Sequence, residues 1–485
     1  MATVSYIPND PLASNGPATR QVSPGRFPAG AAGFDVQPPA RPGSYPPQTP
    51  AFDYWQAQTA LIAGLRAWRE IDGRYLPRWY GEQQRLPAYT NAGDDLNAFY
   101  DRSSLQFFSH TYDGLTVHSA ESVDVVTHEE GHALLDAIRP DFFDVPFIEA
   151  GALHEAFGDC VALLTGLRDR SIRDGVLALS PDLSSNQFLE SLAEQLGDAI
   201  RREFGSETVE SGALRHALNV FRWSDPTTLP PIAPAEQLCG EVHSFSRVFT
   251  GAFYDVLRNI FASGRRSGPN LRRAARTAGR LLVSAIRTVP ATPRLFEGVG
   301  RGMLQADVSM NRGQNVAAIT SAFQAHGILL GAPAAPLPVP LEATRGRSAT
   351  RALKDQLDVP SGTRLETTPV ETDLHGRIAH VTAYRPLRLT GDGLEGVRIM
   401  VPAAARVTRR GRAIGGVLGD VAPVTPEAEN DARAFARALA ANGQLRIAPR
   451  AARRVHAAAP QARGAPARPT ATHEIRIVDG EATIR

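Results

Sequence analysis

The sequence predicts an α+β protein: a short β-containing N-terminal lobe, a mostly α lobe behind it, and a small α+β domain at the C-terminal end. Between about 86 and 117, short aromatic-rich segments are punctuated by Asn91, Gly93 and Gly114 as turns. From about 120 to 330 apolar residues recur at helical spacing. Beyond a Pro/Ala-rich connector at 331–340, alternating segments return. At 485 residues, 43% hydrophobic and 21% charged, the chain is globular and long enough for two or three domains.

Residues 1–50 hold 11 prolines and 5 glycines, which predicts a Pro-rich extended arm rather than a packed element. Residues 51–330 follow as one unit. It opens with a helix in which Trp55, Ile62, Leu65 and Trp68 share a spacing and Gly73 is the stop. Short strands are expected at 86–89, 97–100, 105–108 and 115–117. Ser119 or Ser122 caps a helix that runs to about Ile138, before Pro140, and a second helix covers 149–167. Further helices are expected at 186–204, 211–221, 244–263, 270–289, 292–303 and 314–326. A linker at 331–345 leads into a small α+β domain, 346–485. That domain has strands at 378–384, 396–401 and 475–478, a helix over Pro426–Ala441, and a low-complexity linker near 457–471.

Several function classes are excluded at this level. No apolar run reaches the roughly 18 residues of a membrane span, so no membrane partner is expected. No h-region follows the start, which predicts a cytoplasmic chain or one exported by a non-Sec route. Two cysteines, Cys160 and Cys239, exclude a disulfide-stapled scaffold and a multi-thiolate zinc module. All 52 basic residues except Lys354 are arginines, so Arg-rich stretches reflect composition. The 14 arginines against 7 acids from Val401 onward are therefore read as a solvated face, and no nucleic-acid partner is expected.

His128-Glu129-Glu130-Gly131-His132 is the central chemical signal. Residues four apart share a helix face, so both imidazoles can meet one zinc ion with Glu129 beside its open side. Glu155, on the following helix, can add a carboxylate ligand, and Asp159, one turn on, can accept the outer N–H of a ligating imidazole. Glu130 and Glu149 are expected to face solvent. His110, His118 and His154 are expected to be structural or surface residues, with His154 turned away from the ligand face.

The run Val123-Asp124-Val125-Val126-Thr127-His128-Glu129-Glu130-Gly131-His132-Ala133, with Gly151-Ala152-Leu153-His154-Glu155-Ala156-Phe157-Gly158-Asp159, resembles the thermolysin-like (gluzincin) zinc metallopeptidases. Asn97-Ala98-Phe99-Tyr100 is similar to that family's substrate-binding edge strand, and Val242-His243-Ser244 to its transition-state histidine motif. The likeness covers roughly 80–330. It implies a two-lobed, zincin-like fold and hydrolysis of a peptide or protein substrate. Zinc would be held by His128, His132 and Glu155, with Glu129 as general base, His243 as oxyanion donor and Asp159 behind the ligands. Asn97, Ala98 and Arg222 would bind substrate. This chain departs from the family in three places: no tyrosine lies between Ala133 and His154, Arg222 stands one residue closer than usual to Ser224-Asp225-Pro226, and the acid behind His243 is Glu236 or Glu241. The missing tyrosine keeps an alternative open, a zinc-binding scaffold or interaction protein with a decayed or narrow-specificity site. One zinc ion is expected and calcium is not. Asp124 keeps its place, but Gly166 stands where a carboxylate is expected, and Arg168, Arg170 and Arg173 surround the nearby aspartates.

Overall fold

The computed structural model describes residues 2–331, 347–373, 376–410, 413–448 and 472–484. It is a mixed helical and β structure, in agreement with the α+β class. The N-terminal fifty residues correct an expectation, because they are packed. β1 (Val4–Tyr6) pairs antiparallel with β2 (Arg20–Val22), and β3 (Gly33–Gln37) joins a sheet. Each strand uses a short proline-free stretch. Val4, Tyr6 and Phe34 are buried, and Asn9 donates to the Phe188 carbonyl at 3.1 Å.

α1 (Pro50–Asp72) begins where Thr49 accepts from the Phe52 N–H, and ends at Gly73, whose φ of 82° favours glycine. β4 (Arg85–Tyr89), β5 (Ala98–Tyr100) and β6 (Leu105–Phe107) complete a four-stranded sheet in the order β3-β4-β6-β5. Among the described residues β5 is therefore an edge strand, paired antiparallel with β6 alone. β7 (Ser109–Tyr112) and β8 (Leu115–His118) form a hairpin, and a 3-10 turn over Ser119–Glu121 leads into α2 (Val123–Ile138).

After α3 (Pro140–Asp144), the long helix α4 (Ile148–Gly166) packs along α2. α5 (Arg170–Leu179) was not expected from the sequence. Of the helix expected at 186–204, Glu194–Phe204 forms (α6), preceded by the short strand β9 (Ser191–Leu192). The helix expected at 211–221 does not form. That stretch holds β10 (Arg215–His216), because its backbone bonds leave the segment: Leu214 N–H donates to Leu192 and Ala217 N–H to Glu190. α7 (Val242–Ala262), α8 (Gly268–Thr288), α9 (Leu295–Asn311) and α10 (Val316–Ala325) follow near the expected positions.

The linker expected at 331–345 lies, apart from Gly331, outside the described residues, as does the low-complexity stretch 457–471. The C-terminal part opens with α11 (Arg347–Gln356). β11 (Glu366–Asp373), β12 (Gly376–Arg388), β13 (Arg398–Arg410) and β14 (Ala413–Ala422) then run as successive antiparallel neighbours. α12 (Pro426–Ala441), β15 (Leu445–Ile447), β16 (His473–Val478) and β17 (Glu481–Ile484) follow, with β17 joining the sheet beside β13. This part shares one continuous hydrophobic core with the rest, through residues such as Val381, Ala403 and Phe435. Polar contacts cross as well. Asp431 on α12 accepts the Ile148 N–H at 2.8 Å, and His380 on β12 donates to the Arg287 carbonyl at 3.0 Å. Among the described residues no helix is long and apolar enough to cross a membrane.

Candidate metal centre

Two glycines let α2 and α4 cross closely. A Cβ on Gly131 would lie 2.7 Å from the Gly158 Cα, and one on Gly158 would lie 2.6 Å from His128 Nδ1. This close crossing sets the α4 carboxylates against the α2 imidazoles. Ser122 caps α2 by accepting from Val125, and the His128 and His132 rings then stand 4.8 Å apart at 88°.

Glu155 faces both rings. Its Oε2 is 3.4 Å from His128 Nε2, and its Oε1 is 3.5 Å from His132 Nε2. Donors held about 2.0–2.1 Å from a tetrahedral ion stand roughly 3.3 Å apart, so these spacings suit a small ion such as zinc. Donor atoms of His128, Glu129 and His132 also lie within 4.8 Å of one another. Asp159 Oδ1 meets His128 Nδ1 at 3.0 Å, which leaves Nε2 as the free imidazole donor.

Asp159 is itself anchored on both oxygens. Arg215 on β10 donates to Oδ1 at 2.9 Å, and Thr250 on α7 donates to Oδ2 at 2.8 Å. Against the cost of burial, Arg215 and His128 hold the Asp159 carboxyl down at about 2. Likewise against burial, His243, His132 and His128 hold Glu155 well below the usual carboxylate range. Glu129 lies in different surroundings. Burial pushes its carboxyl up to about 7, His128 opposes and Glu155 adds, and its Oε2 has no hydrogen-bond partner.

His243 stands at the start of α7, half exposed, with Nε2 3.5 Å from Glu155 Oε1. Its Nδ1 is 2.5 Å from Oε1 of Glu241, so Glu241, rather than Glu236, is the acid behind it. Partial burial works against protonation of His243, but Glu155 and Glu241 outweigh it and raise the ring to about 9. Glu241 also caps α7 through the Ser244 N–H and accepts from Gln444 of the C-terminal part at 3.5 Å.

The structure thus gathers His128, Glu129, His132, Glu155, Asp159 and His243. Asn97 and Ala98 lie at the start of the β5 edge, which packs on α2, and Asn97 Oδ1 accepts the Ala98 N–H at 2.9 Å. Arg222 donates to the Ala325 carbonyl at 2.6 Å, and the guanidinium in the cluster is Arg215, 3.7 Å from Glu155 as well. Glu130 corrects an expectation, being fully buried with burial raising its carboxyl well above the usual range. Its side chain fills the space above Gly64 of α1, where a Cβ would collide with it. Glu149 is also buried, accepting from Trp223 Nε1 at 2.7 Å and from the Phe296 N–H at 2.6 Å. His154 is buried behind the centre, stacked on His132 at 5.7 Å. Cys160 and Cys239 are free and buried.

Arg215 and Thr250 were missed. Thr250 lies seven residues beyond His243 on one helix face, a readable spacing. Arg215 sat in a stretch read as helix, in a chain where arginine is common. No protein-family model matches the chain, and no curated protein matches it.

Proposed function

We propose that the chain is a zinc-dependent metalloendopeptidase of the thermolysin-like kind, with a two-lobed zincin-like arrangement over about 51–330. The observation that carries this reading is the placement of Glu155 3.4–3.5 Å from two imidazole nitrogens, with Glu129, whose Oε2 has no hydrogen-bond partner, beside them. His128 Nε2, His132 Nε2 and a Glu155 oxygen would hold the ion. When bound, zinc supplies Lewis acidity, polarising a peptide carbonyl and making water a stronger acid.

The chain's own groups supply the rest. Glu129, raised to about 7, is matched to taking a proton from water and passing it to the leaving amine near neutral pH. His243 Nε2–H, held protonated by Glu155 and Glu241, donates to the carbonyl oxygen as it gains charge. Asp159 fixes the His128 ring through Nδ1, and Arg215 and Thr250 fix Asp159. The unpaired side of β5 offers backbone groups for a peptide to add as a strand.

The test is zinc analysis together with peptide cleavage. Glu129→Gln is expected to keep the parent's zinc content and lose at least about 10³-fold in turnover. A variant that retains more than a few per cent of the parent rate would overturn the assignment. A parent chain that holds zinc and cleaves no peptide would favour the scaffold alternative.

A further inference from the structure

A second group of ligand-type side chains lies outside the α2–α4 cluster. Asp53 in the first turn of α1, His118 at the end of β8 and Glu121 in the 3-10 turn each bring a donor atom within 4.8 Å of the others. His118 Nδ1 is 2.8 Å from Asp53 Oδ2. Asp53 is 1% exposed and Glu121 is 2% exposed, and Asp53 Oδ1 has no hydrogen-bond partner.

Acids outnumber bases in this pocket. Glu121 accepts the Gln48 N–H, and Gln56 Nε2 donates to the Glu121 carbonyl at 2.9 Å, but these donors are neutral. Among the described residues no arginine pairs with either carboxylate, and the ion pair present is Asp53 with His118. Two buried carboxylates therefore face one imidazole. Both acids can be ionised together only with one buried charge uncompensated, at a cost of several kcal/mol, and a divalent cation would cancel both carboxylates with the imidazole neutral. An imidazole beside two carboxylates suits first-row transition metals better than calcium or magnesium, which take oxygen ligands.

We propose that Asp53, His118 and Glu121 form a second, structural binding site for a divalent transition-metal ion, tying the start of α1 to the turn that precedes α2. It is independent of the peptidase reading, because none of the three residues belongs to the α2–α4 cluster.

The test strips the full chain with a chelator, reloads it with zinc or with manganese, removes free ion and measures metal per chain. The variants are His118→Ala, the near-isosteric Glu121→Gln, and the double variant His128→Ala/His132→Ala, each checked for folding by circular dichroism. Two zinc ions are expected in the parent and one in each variant. If Glu121→Gln and His118→Ala both hold as much metal as the parent, the proposal is overturned. One ion in the parent and none in the double variant also overturns it. One ion in the parent and in the double variant, with none in His118→Ala, would leave this site standing and remove the zinc reading of the α2–α4 centre.

Discussion

The α2–α4 helix pair and the C-terminal part, 347–484, share one hydrophobic core but contribute to it in different ways. The helix pair supplies the donor set from within: His128, His132, Glu155 and Asp159 meet because Gly131 and Gly158 let the axes approach. The C-terminal part brings polar groups across, and two of them, from Asp431 and Gln444, land on the borders of the site. α4 has no side-chain cap of its own, and Asp431 of α12 accepts its first N–H. Gln444 reaches Glu241, which backs His243, and Phe435 lies 3.8 Å from where a Gly151 Cβ would sit. The centre is thus assembled locally, while the ends of the helices that carry it are held from far along the chain. A helix pair can specify its ligands and still depend on a distant segment for its stability.

Four measurements sharpen or break this contrast. The largest effect is expected on ending the chain at Gly331, which uncovers the start of α4 and the face near Gly151 that Phe435 covers. Melting should fall by about 10 °C or more, or the fragment should precipitate. A fragment that melts with the full chain would dissolve the comparison. Next, Gly158→Ala presses a methyl group on the His128 ring, which is expected to cost roughly 1–3 kcal/mol and, under the proposed function, to weaken zinc binding. Urea titration and metal competition would read the two effects, and an unchanged zinc affinity would show that the crossing does not place His128.

The third concerns His380. Burial, with Arg139 adding, holds its imidazole down at about 3. An unfolded histidine takes a proton near pH 6.5, so stability is full above that pH. It falls by about 1.4 kcal/mol per pH unit as pH drops towards the folded value. His380→Gln, which keeps a donor for the Arg287 carbonyl, should remove about 1–2 kcal/mol of the loss between pH 7 and pH 5. Parallel slopes for parent and variant would mean that the C-terminal contact is not acid-sensitive there. The smallest effect is expected for Gln444→Ala. A 3.5 Å bond to Glu241 is worth about 0.5 kcal/mol, roughly a twofold fall in kcat with KM unchanged. A tenfold fall would make the C-terminal part a direct determinant of His243.

Much of the centre was legible because its signals are local. His128 and His132 share a helix face by spacing alone, Ser122 and Gly73 mark helix ends by their own chemistry, and Pro426–Ala441 forms as its pattern indicates. What was not legible depends on distant partners. Glu130 looks like a solvated position until the open face of Gly64 on α1 is brought against it. Glu149 looks solvated until Trp223 and the Phe296 N–H arrive. Arg215 could not be picked out because its strand exists only through pairing with β9. The N-terminal strands are three to five residues long, too short for periodicity to outweigh the surrounding prolines.

The contact between Gly64 and Glu130 has a consequence for how the protein can change by mutation. Any side chain at 64 collides with the Glu130 carboxyl, while shortening Glu130 alone leaves an empty space over Gly64. Both oxygens of Glu130 lack a hydrogen-bond partner, so shortening it also removes a buried polar group, whereas a side chain at 64 fits only beside a shorter residue at 130. The two sites are therefore coupled in order, and along a line of descent position 130 is expected to change before position 64.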